Sequence, residues 1–152
     1  MRGLALAFAC LVVGCGHSGS APAATPSSSG SRASTPSAAA STTTVNRDQP
    51  LVVVVRADWC PTCRKIEPTV AVLQREYGGR VSFLILDVTD DAASTRSTSA
   101  AERAGVGSFF RDNNATGIVA VFTRGRAEVA KLAGEVDVER YRTPLATAMT
   151  TR

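Results

Sequence analysis

The sequence predicts an α/β domain in which helices cover both faces of a mixed sheet of about four to five strands. Three observations lead to this fold class: an apolar run at Leu51–Val55, a helical apolar period over Pro61–Tyr77, and a second apolar run at Val81–Val88. Continuous β-branched runs are typical of strands buried on both faces, and apolar residues at helical spacing are typical of a helix that packs on such a sheet.

The later elements follow from the same signals. We expect a polar helix, a third strand, a fourth strand and a closing helix at Ser94–Gly105, Gly117–Phe122, Glu128–Gly134 and Asp137–Met149. A turn at Arg124–Arg126 joins the third and fourth strands as a hairpin. The predicted order β-α-β-α-β-β-α places one domain at residues 46–152 and requires a mixed sheet.

The first fifteen residues have the pattern of a bacterial lipoprotein signal. Met1 and Arg2 form a short positive region before the apolar run Gly3–Val13. A helix that spans a bilayer needs about 20 apolar residues, so this run is too short for one. It ends in VVGC, which resembles a lipobox with valine in place of the usual leucine. We therefore predict a signal peptide over residues 1–15 that ends at a lipidated Cys15; a plain signal peptide or a buried helix is the alternative.

Residues 16–45 consist almost entirely of Ser, Ala, Thr, Pro and Gly, and we predict that they form a disordered linker. A lipidated Cys15 would hold the chain on a membrane of the bacterial cell envelope, facing the periplasm. The residue after the anchor is Gly16 rather than aspartate, which favours the outer membrane. In this compartment disulfides form and persist.

Composition excludes several classes of function. The net charge is +4, with scattered arginines and few aromatic residues, so we expect no nucleic-acid partner. The one histidine, His17, lies in the linker, which argues against Cys–His nucleophilic catalysis in the domain. There is no glycine-rich nucleotide fingerprint, so we expect neither a flavin nor a nicotinamide cofactor. The domain is expected to be a monomer.

Cys60 and Cys63 enclose only Pro61 and Thr62, and a close pair of this kind can be a metal site, a structural disulfide or a redox pair. A structural zinc site needs four ligands, and the domain has no second Cys/His pair. A structural disulfide across so short a loop removes little chain entropy. The pair lies between a buried strand and the start of a helix, where free N–H groups and the helix dipole stabilise a thiolate. A redox pair is therefore favoured, with one exposed nucleophile and one resolving thiol.

This region resembles the thioredoxin superfamily. The matching pieces are LVVVV, then RADWCPTC, then Pro68 five residues after the second cysteine, and later Gly134 before the last helix. The resemblance implies a thioredoxin-like fold, with Cys60 as the attacking thiolate and Cys63 as the buried resolving thiol. It also implies that Trp59 shields and positions the pair, for which simple packing is the alternative, and that Pro68 bends the helix.

The chain departs from the family in the loop that faces the cysteines. The family's cis-proline position falls at Thr116–Gly117, where no proline is present, so we expect a trans or altered loop. The preceding segment GSFFRDNN is also longer than in a minimal thioredoxin. Phe109 and Phe110 in this segment are expected to pack in the core rather than to form a substrate-contact patch.

A second departure concerns proton transfer to and from the resolving thiol. The family's buried aspartate corresponds to Val54, and its usual lysine partner corresponds to Ile85. Asp58, Lys65 or water would have to assist instead, although Asp58 is more simply an exposed turn residue.

The leading functional hypothesis is a lipid-tethered thiol–disulfide oxidoreductase that acts on protein thiols or disulfides. It would need an electron-exchange partner in the membrane or the periplasm, and the sequence leaves the direction of electron flow open. The alternative is a non-enzymatic binding or chaperone module for periplasmic clients. A copper chaperone is disfavoured because no suitable His or Met cluster is present.

Overall fold

The structure is a computed structural model, and it describes residues 45–113 and 115–151. The predicted signal peptide and lipidated Cys15 lie outside the described residues, as does all of the predicted linker except Val45. The elements in chain order are β1 Leu51–Arg56, α1 Pro61–Tyr77, β2 Ser82–Asp87, α2 Asp91–Ala104, α3 Gly107–Asp112, β3 Ile118–Phe122, β4 Glu128–Ala133 and α4 Glu139–Thr150. Among the described residues, none of these helices is long and apolar enough to cross a membrane.

The four strands form one mixed sheet in the order β2-β1-β3-β4. β1 pairs in parallel with β2 and antiparallel with β3, and β3 pairs antiparallel with β4. The central position of β1 explains its continuous apolar sequence, since Leu51–Val55 are buried on both faces. The carboxyl ends of β1 and β2 lie at the same edge of the sheet, and α1 begins just beyond the end of β1.

Each face of the sheet has its own hydrophobic core, as predicted for a sheet covered on both sides. Side chains of α1 and α4, among them Ile66, Leu73 and Tyr141, pack on one face. Side chains of α2 and α3 pack on the other face against Leu51, Val53 and Val55. The division follows from the period of a strand, in which alternate residues point to opposite faces.

The short helix α3 is absent from the predicted order of elements, and this part of the prediction was wrong. Phe109 and Phe110 on α3 are buried, so the expectation that they pack in the core is confirmed. The ring of Phe109 lies edge-on to Phe122 of β3, with the ring centroids 5.1 Å apart. Six residues are too few to form a stable helix alone, so burial of these two rings is what holds α3 in place.

Candidate active site around Cys60 and Cys63

Cys60 and Cys63 form a disulfide at the start of α1, with their Cα atoms 5.3 Å apart. Cys60 is the N-cap residue of α1, and its Sγ accepts a hydrogen bond from the Cys63 backbone N–H at 3.1 Å. Pro61 occupies the first turn, where its missing N–H costs no helical hydrogen bond. The end of a buried strand and the start of a helix thus hold the Cys60 sulfur at the N-terminal end of the helix dipole.

Both cysteines are almost fully covered in this disulfide state. Cys60 is 3% exposed and Cys63 is 5% exposed. The expectation of an exposed nucleophile is therefore wrong for Cys60 in this state. Ala57 and Val88 pack against the pair, and the backbone of Gly117 passes beside the Cys60 sulfur. These groups therefore restrict the approach of a client to the Cys60 sulfur.

Trp59 lies on the surface next to the pair, with 61% of the residue exposed. Its indole Nε1–H donates to the Thr89 carbonyl at 3.2 Å, which fixes the ring at the end of β2. The exposure excludes simple core packing and leaves a broad apolar surface beside the disulfide. Trp59 is one of two large hydrophobic residues that are exposed among the described residues, and the other is Val136.

Asp58 is an exposed turn residue, as expected. Its carboxylate pairs with Arg56 at 2.6 Å, and its side chain is 68% exposed. Its backbone N–H donates to the Thr89 hydroxyl at 2.9 Å, and its carbonyl accepts from the Arg64 guanidinium at 3.0 Å. These contacts tie Asp58 to the edge of the site, and its acidic group is engaged by Arg56 on the surface.

The loop at the family's cis-proline position contacts the cysteine motif directly. The peptide bonds of the described residues, including the one between Thr116 and Gly117, are all trans. Gly117 has a φ of +79°, and its N–H donates to the Val55 carbonyl at 2.8 Å. A Cβ atom at Gly117 would lie only 2.8 Å from Cγ2 of Thr62, so glycine is what allows this approach.

Thr62 also packs against a second glycine, a contact that the sequence did not suggest. Gly134 has a φ of +65°, and a Cβ atom there would lie 3.2 Å from Cγ2 of Thr62. The Gly134 N–H donates to the Gly117 carbonyl at 2.9 Å, which joins the two loops. The methyl group of Thr62 therefore occupies the space between two glycine loops. Sequence reasoning noted Gly117 and Gly134 separately but had no signal that Thr62 brings them together.

The segment after Gly134 is anchored from two sides. The Thr69 hydroxyl on α1 donates to the Val136 carbonyl at 2.6 Å. The hydroxyl of the buried Tyr141 on α4 donates to the Glu135 carbonyl at 2.9 Å. Burial, with a smaller contribution from the Glu135 charge, raises the pKa of Tyr141 to about 12, so this donor keeps its proton at neutral pH. These bonds fix the position of exposed Val136, and sequence reasoning missed both Thr69 and Tyr141 as supports of the site.

Val54 and Ile85, which the resemblance assigns to the positions of the family's buried aspartate and lysine, are neighbours in the sheet. Val54 of β1 and Ile85 of β2 are register partners, and both pack in the core beneath α1. An apolar pair thus occupies the position of the family's aspartate and lysine, and the exposed Lys65 on α1 does not replace it there.

Pro68 lies inside α1 on its exposed side, and α1 continues past it to Tyr77. Proline has no N–H to donate to the carbonyl one turn earlier, which is the usual cause of a bend. The predicted bend at Pro68 stays a prediction. Within residues 45–113 and 115–151 no group of three or more His, Cys, Asp or Glu side chains is arranged to hold a metal ion.

Comparisons with known proteins agree with this geometry. The thioredoxin family, as a sequence profile, matches residues 35–109. A thiol:disulfide interchange protein TxlA homolog from Synechocystis sp. is 37% identical over 49 residues, which are 32% of this chain and 27% of that protein. The chloroplastic M-type thioredoxin of Brassica napus is 42% identical over 48 residues, again 32% of this chain and 27% of that protein. These findings support the predicted resemblance of this chain to the thioredoxin superfamily.

The predicted thioredoxin-like fold is confirmed by the mixed four-stranded sheet with helices on both faces. The solved thioredoxin of Fasciola hepatica covers 66% of this chain with 82% of its own length, at 25% identity and a TM-score of 0.45. The chain spans about a quarter of the length of the two curated relatives named above.

Proposed function

We propose that this chain is a thioredoxin-like thiol–disulfide oxidoreductase that exchanges the Cys60–Cys63 disulfide with protein thiols or disulfides. In the reducing direction, the Cys60 thiolate attacks a client disulfide, and one client sulfur leaves as a thiolate that takes up a proton. The Cys63 thiolate then attacks the Cys60 sulfur and releases the second client thiol. Two electrons and two protons pass to the client, and the Cys60–Cys63 disulfide forms. The reverse sequence oxidises a client dithiol.

The observation that carries the proposal is the position of Cys60 as the N-cap of α1. Its sulfur already accepts a backbone N–H from Cys63, and a thiolate would accept that bond more strongly than a thiol. The positive end of the helix dipole adds to this stabilisation. Cysteines in such positions have pKa values lowered from about 8.5 into the range of about 3.5–7.5, which makes the thiolate available at neutral pH.

The apolar pair Val54 and Ile85 bears on how the Cys63 thiol loses its proton. Neither residue can accept a proton, so water would take up the proton of the Cys63 thiol. We expect resolution of the mixed disulfide to be slower than it would be with a buried acid. Electrons would come from, or pass to, a partner protein in the membrane or periplasm.

Turnover of the full chain, purified in detergent, tests this proposal. We expect the reduced protein to accelerate the reduction of insulin by dithiothreitol, and we expect the Cys60→Ser/Cys63→Ser double variant to give only the uncatalysed rate. Cys15→Ser is the matched control, because it removes a cysteine outside the domain and should leave turnover unchanged. Equal rates for the wild type and the double variant would rule out the enzyme.

A non-enzymatic client-binding module is the second candidate. Thr62 fills the space between Gly117 and Gly134, beside the position where the family has its cis-proline, and this favours a site with altered access. Such a module would bind the same unfolded client with and without its cysteines. The wild type and the Cys60→Ser/Cys63→Ser variant together separate the two candidates. An enzyme loses its turnover when both cysteines are replaced, whereas a binding module gives only the uncatalysed rate in both forms and binds its client equally well in both.

We also propose that the chain is a lipoprotein of the bacterial cell envelope, facing the periplasm from the outer membrane. The VVGC sequence before Gly16 and the Ser/Ala/Thr/Pro-rich residues that follow support this location. Cys15→Ala is expected to release the protein from membranes, because loss of the acyl chains removes about 0.8 kcal/mol for each CH₂ group buried in the bilayer. Fractionation of cells with an antibody against the chain measures the release. Retention of the variant in the membrane fraction would refute the lipid anchor.

A further inference from the structure

A cavity of about 370 Å³ lies at the edge of the sheet that carries the disulfide, on the face covered by α2 and α3. Its volume is in the range of pockets that hold small ligands, about 300–1,000 Å³. Two of the residues that line it, Phe110 and Arg111, belong to α3, and a third, Asn113, follows that helix. The segment that is longer than in a minimal thioredoxin therefore builds part of this cavity.

The cavity is joined to the disulfide by shared residues. Val88 lines the cavity and also packs against Ala57, Cys60 and Cys63. Val55 lines it as well, and the Val55 carbonyl accepts the N–H of Gly117, the residue whose backbone passes the Cys60 sulfur. A client held at Cys60 would therefore have its neighbouring groups within reach of this cavity.

The lining combines an apolar wall with groups that bind an anion. Val55, Val88 and Phe110 form the apolar part, and Ser94, Thr98, Arg111 and Asn113 form the polar part. The Thr98 hydroxyl already donates to the Ser94 carbonyl at 3.0 Å, so Arg111 is the group of the lining that can bind an anion by its charge. Arg111 Nη1 lies 3.6 Å from the Glu102 carboxylate, and both side chains are about 60% exposed. A pair of this kind contributes little because solvent screens it, so Arg111 is free to bind a better-placed carboxylate.

The charged residues around the cavity also favour an anionic ligand. Lys131 Nζ on β4 donates to Asn113 Oδ1 at 2.9 Å, which places a second cation beside the cavity. The acidic residues of α2 and α3, which are Asp91, Glu102 and Asp112, are not part of the lining. An anionic group would thus meet the exposed Arg111 guanidinium at the cavity and the Lys131 ammonium at its border, with the Glu102 carboxylate as the acidic group that competes for Arg111.

We propose that this cavity binds a carboxylate that the thiol substrate carries close to its reacting sulfur, and that Arg111 is the residue that selects it. The inference rests on the proposed oxidoreductase function and deepens it, since the cavity chooses the client while Cys60 and Cys63 carry out the exchange. The carboxylate belongs either to an acidic residue near the cysteine of a protein client or to a small thiol such as glutathione.

Two peptides with the same internal disulfide test the selection, one with Glu and one with Gln beside a cysteine. For the reduced full chain in detergent at low salt, we expect kcat/KM to be about three- to tenfold higher for the Glu peptide. The preference should shrink at about 1 M salt, where the Debye length is about 3 Å. In a parallel arm, oxidised glutathione is compared with its ethyl ester, so that a preference for the acid in this arm alone assigns the site to small thiols.

Arg111→Gln is expected to remove the preference, mainly through KM. The matched control is Arg124→Gln, which removes an exposed arginine from the β3–β4 turn and should keep both turnover and preference. Thr98→Leu fills the cavity without changing the charge of the protein, and it should also reduce the preference for the Glu peptide. A long-range attraction between Arg111 and the carboxylate would be unaffected by this variant, so the result separates such an attraction from binding in the cavity.

Equal rates for acid and neutral substrates in both arms overturn the carboxylate site and leave the proposed function standing. Retention of the full preference by Arg111→Gln overturns the role of Arg111 in the same way. Failure of the wild type to react with any of these disulfides overturns the proposed function, and the carboxylate site with it.

Discussion

Replacing Cys63 with serine is expected to turn the protein into a trap that stays covalently attached to its clients through Cys60. The Cys60 thiolate keeps its stabilisation in this variant, because the hydrogen bond to its sulfur comes from the backbone N–H of residue 63 and not from the side chain. Attack on a client disulfide therefore proceeds, but no resolving thiol follows it, and turnover is lost almost completely. Mass spectrometry of the trapped adduct, and its release by dithiothreitol, measures the effect.

Cys60→Ser is the control for this assignment and should form no adduct. Burial does not distinguish the two sulfurs, since both residues are at most 5% exposed. The N-cap position does distinguish them, because the Cys60 sulfur accepts a free N–H of the first turn of α1, that of Cys63. Adducts on Cys63 in the Cys60→Ser variant, with none on Cys60 in the Cys63→Ser variant, would reverse the roles.

Gly117→Ala is expected to lower the free energy of unfolding by about 2–4 kcal/mol. Two effects add: the backbone at φ +79° is unfavourable for alanine, and the new Cβ would lie 2.8 Å from Cγ2 of Thr62 and 3.1 Å from its Cβ. The displaced loop lies beside the Cys60 sulfur, so turnover should fall as well. Chemical denaturation of the full chain measures the stability, and insulin reduction measures the turnover.

Gly79→Ala is the matched control for Gly117→Ala, because a Cβ at Gly79 meets no atom within 4 Å and its φ is not positive. It should change stability by no more than about 0.5 kcal/mol. Adding Thr62→Gly to Gly117→Ala should recover the part of the loss caused by the clash, about 1–3 kcal/mol, while the backbone cost remains. Equal losses for Gly117→Ala and Gly79→Ala would contradict the close packing of Thr62.

The regular elements that position the cysteines could be predicted because their signals are local. The apolar run Leu51–Val55 indicated the central strand, and the helical period after Pro61 indicated a helix with the same bounds as α1. The short helix α3 could not be predicted in this way. It has no side-chain cap and only six residues, and its two phenylalanines become informative only when the core they fill is known.

The burial of the disulfide depends on contacts between residues that are far apart in the sequence. The position of the cysteines between a buried strand and the start of a helix indicated a reactive pair. Nothing in the motif indicated that Val88 and Gly117 would pack beside Cys60. The sequence likewise identified Val54 and Ile85 as departures from the family, and the parallel pairing of β1 and β2 then brought them together as one apolar pair.

By itself, the sequence determined the fold class, the central strand, the cysteine-bearing helix and the chemistry to expect of CPTC, because propensity, apolar period and helix-end electrostatics all act over a few neighbouring residues. How that chemistry is enclosed depends on the packing of the folded chain. The packing of Thr62 between Gly117 and Gly134, the anchoring of Val136 by Thr69, and the cavity beside Arg111 all join residues from separate elements. Such contacts depend on how closely two backbones approach each other, and that distance is set by the packing of the whole core.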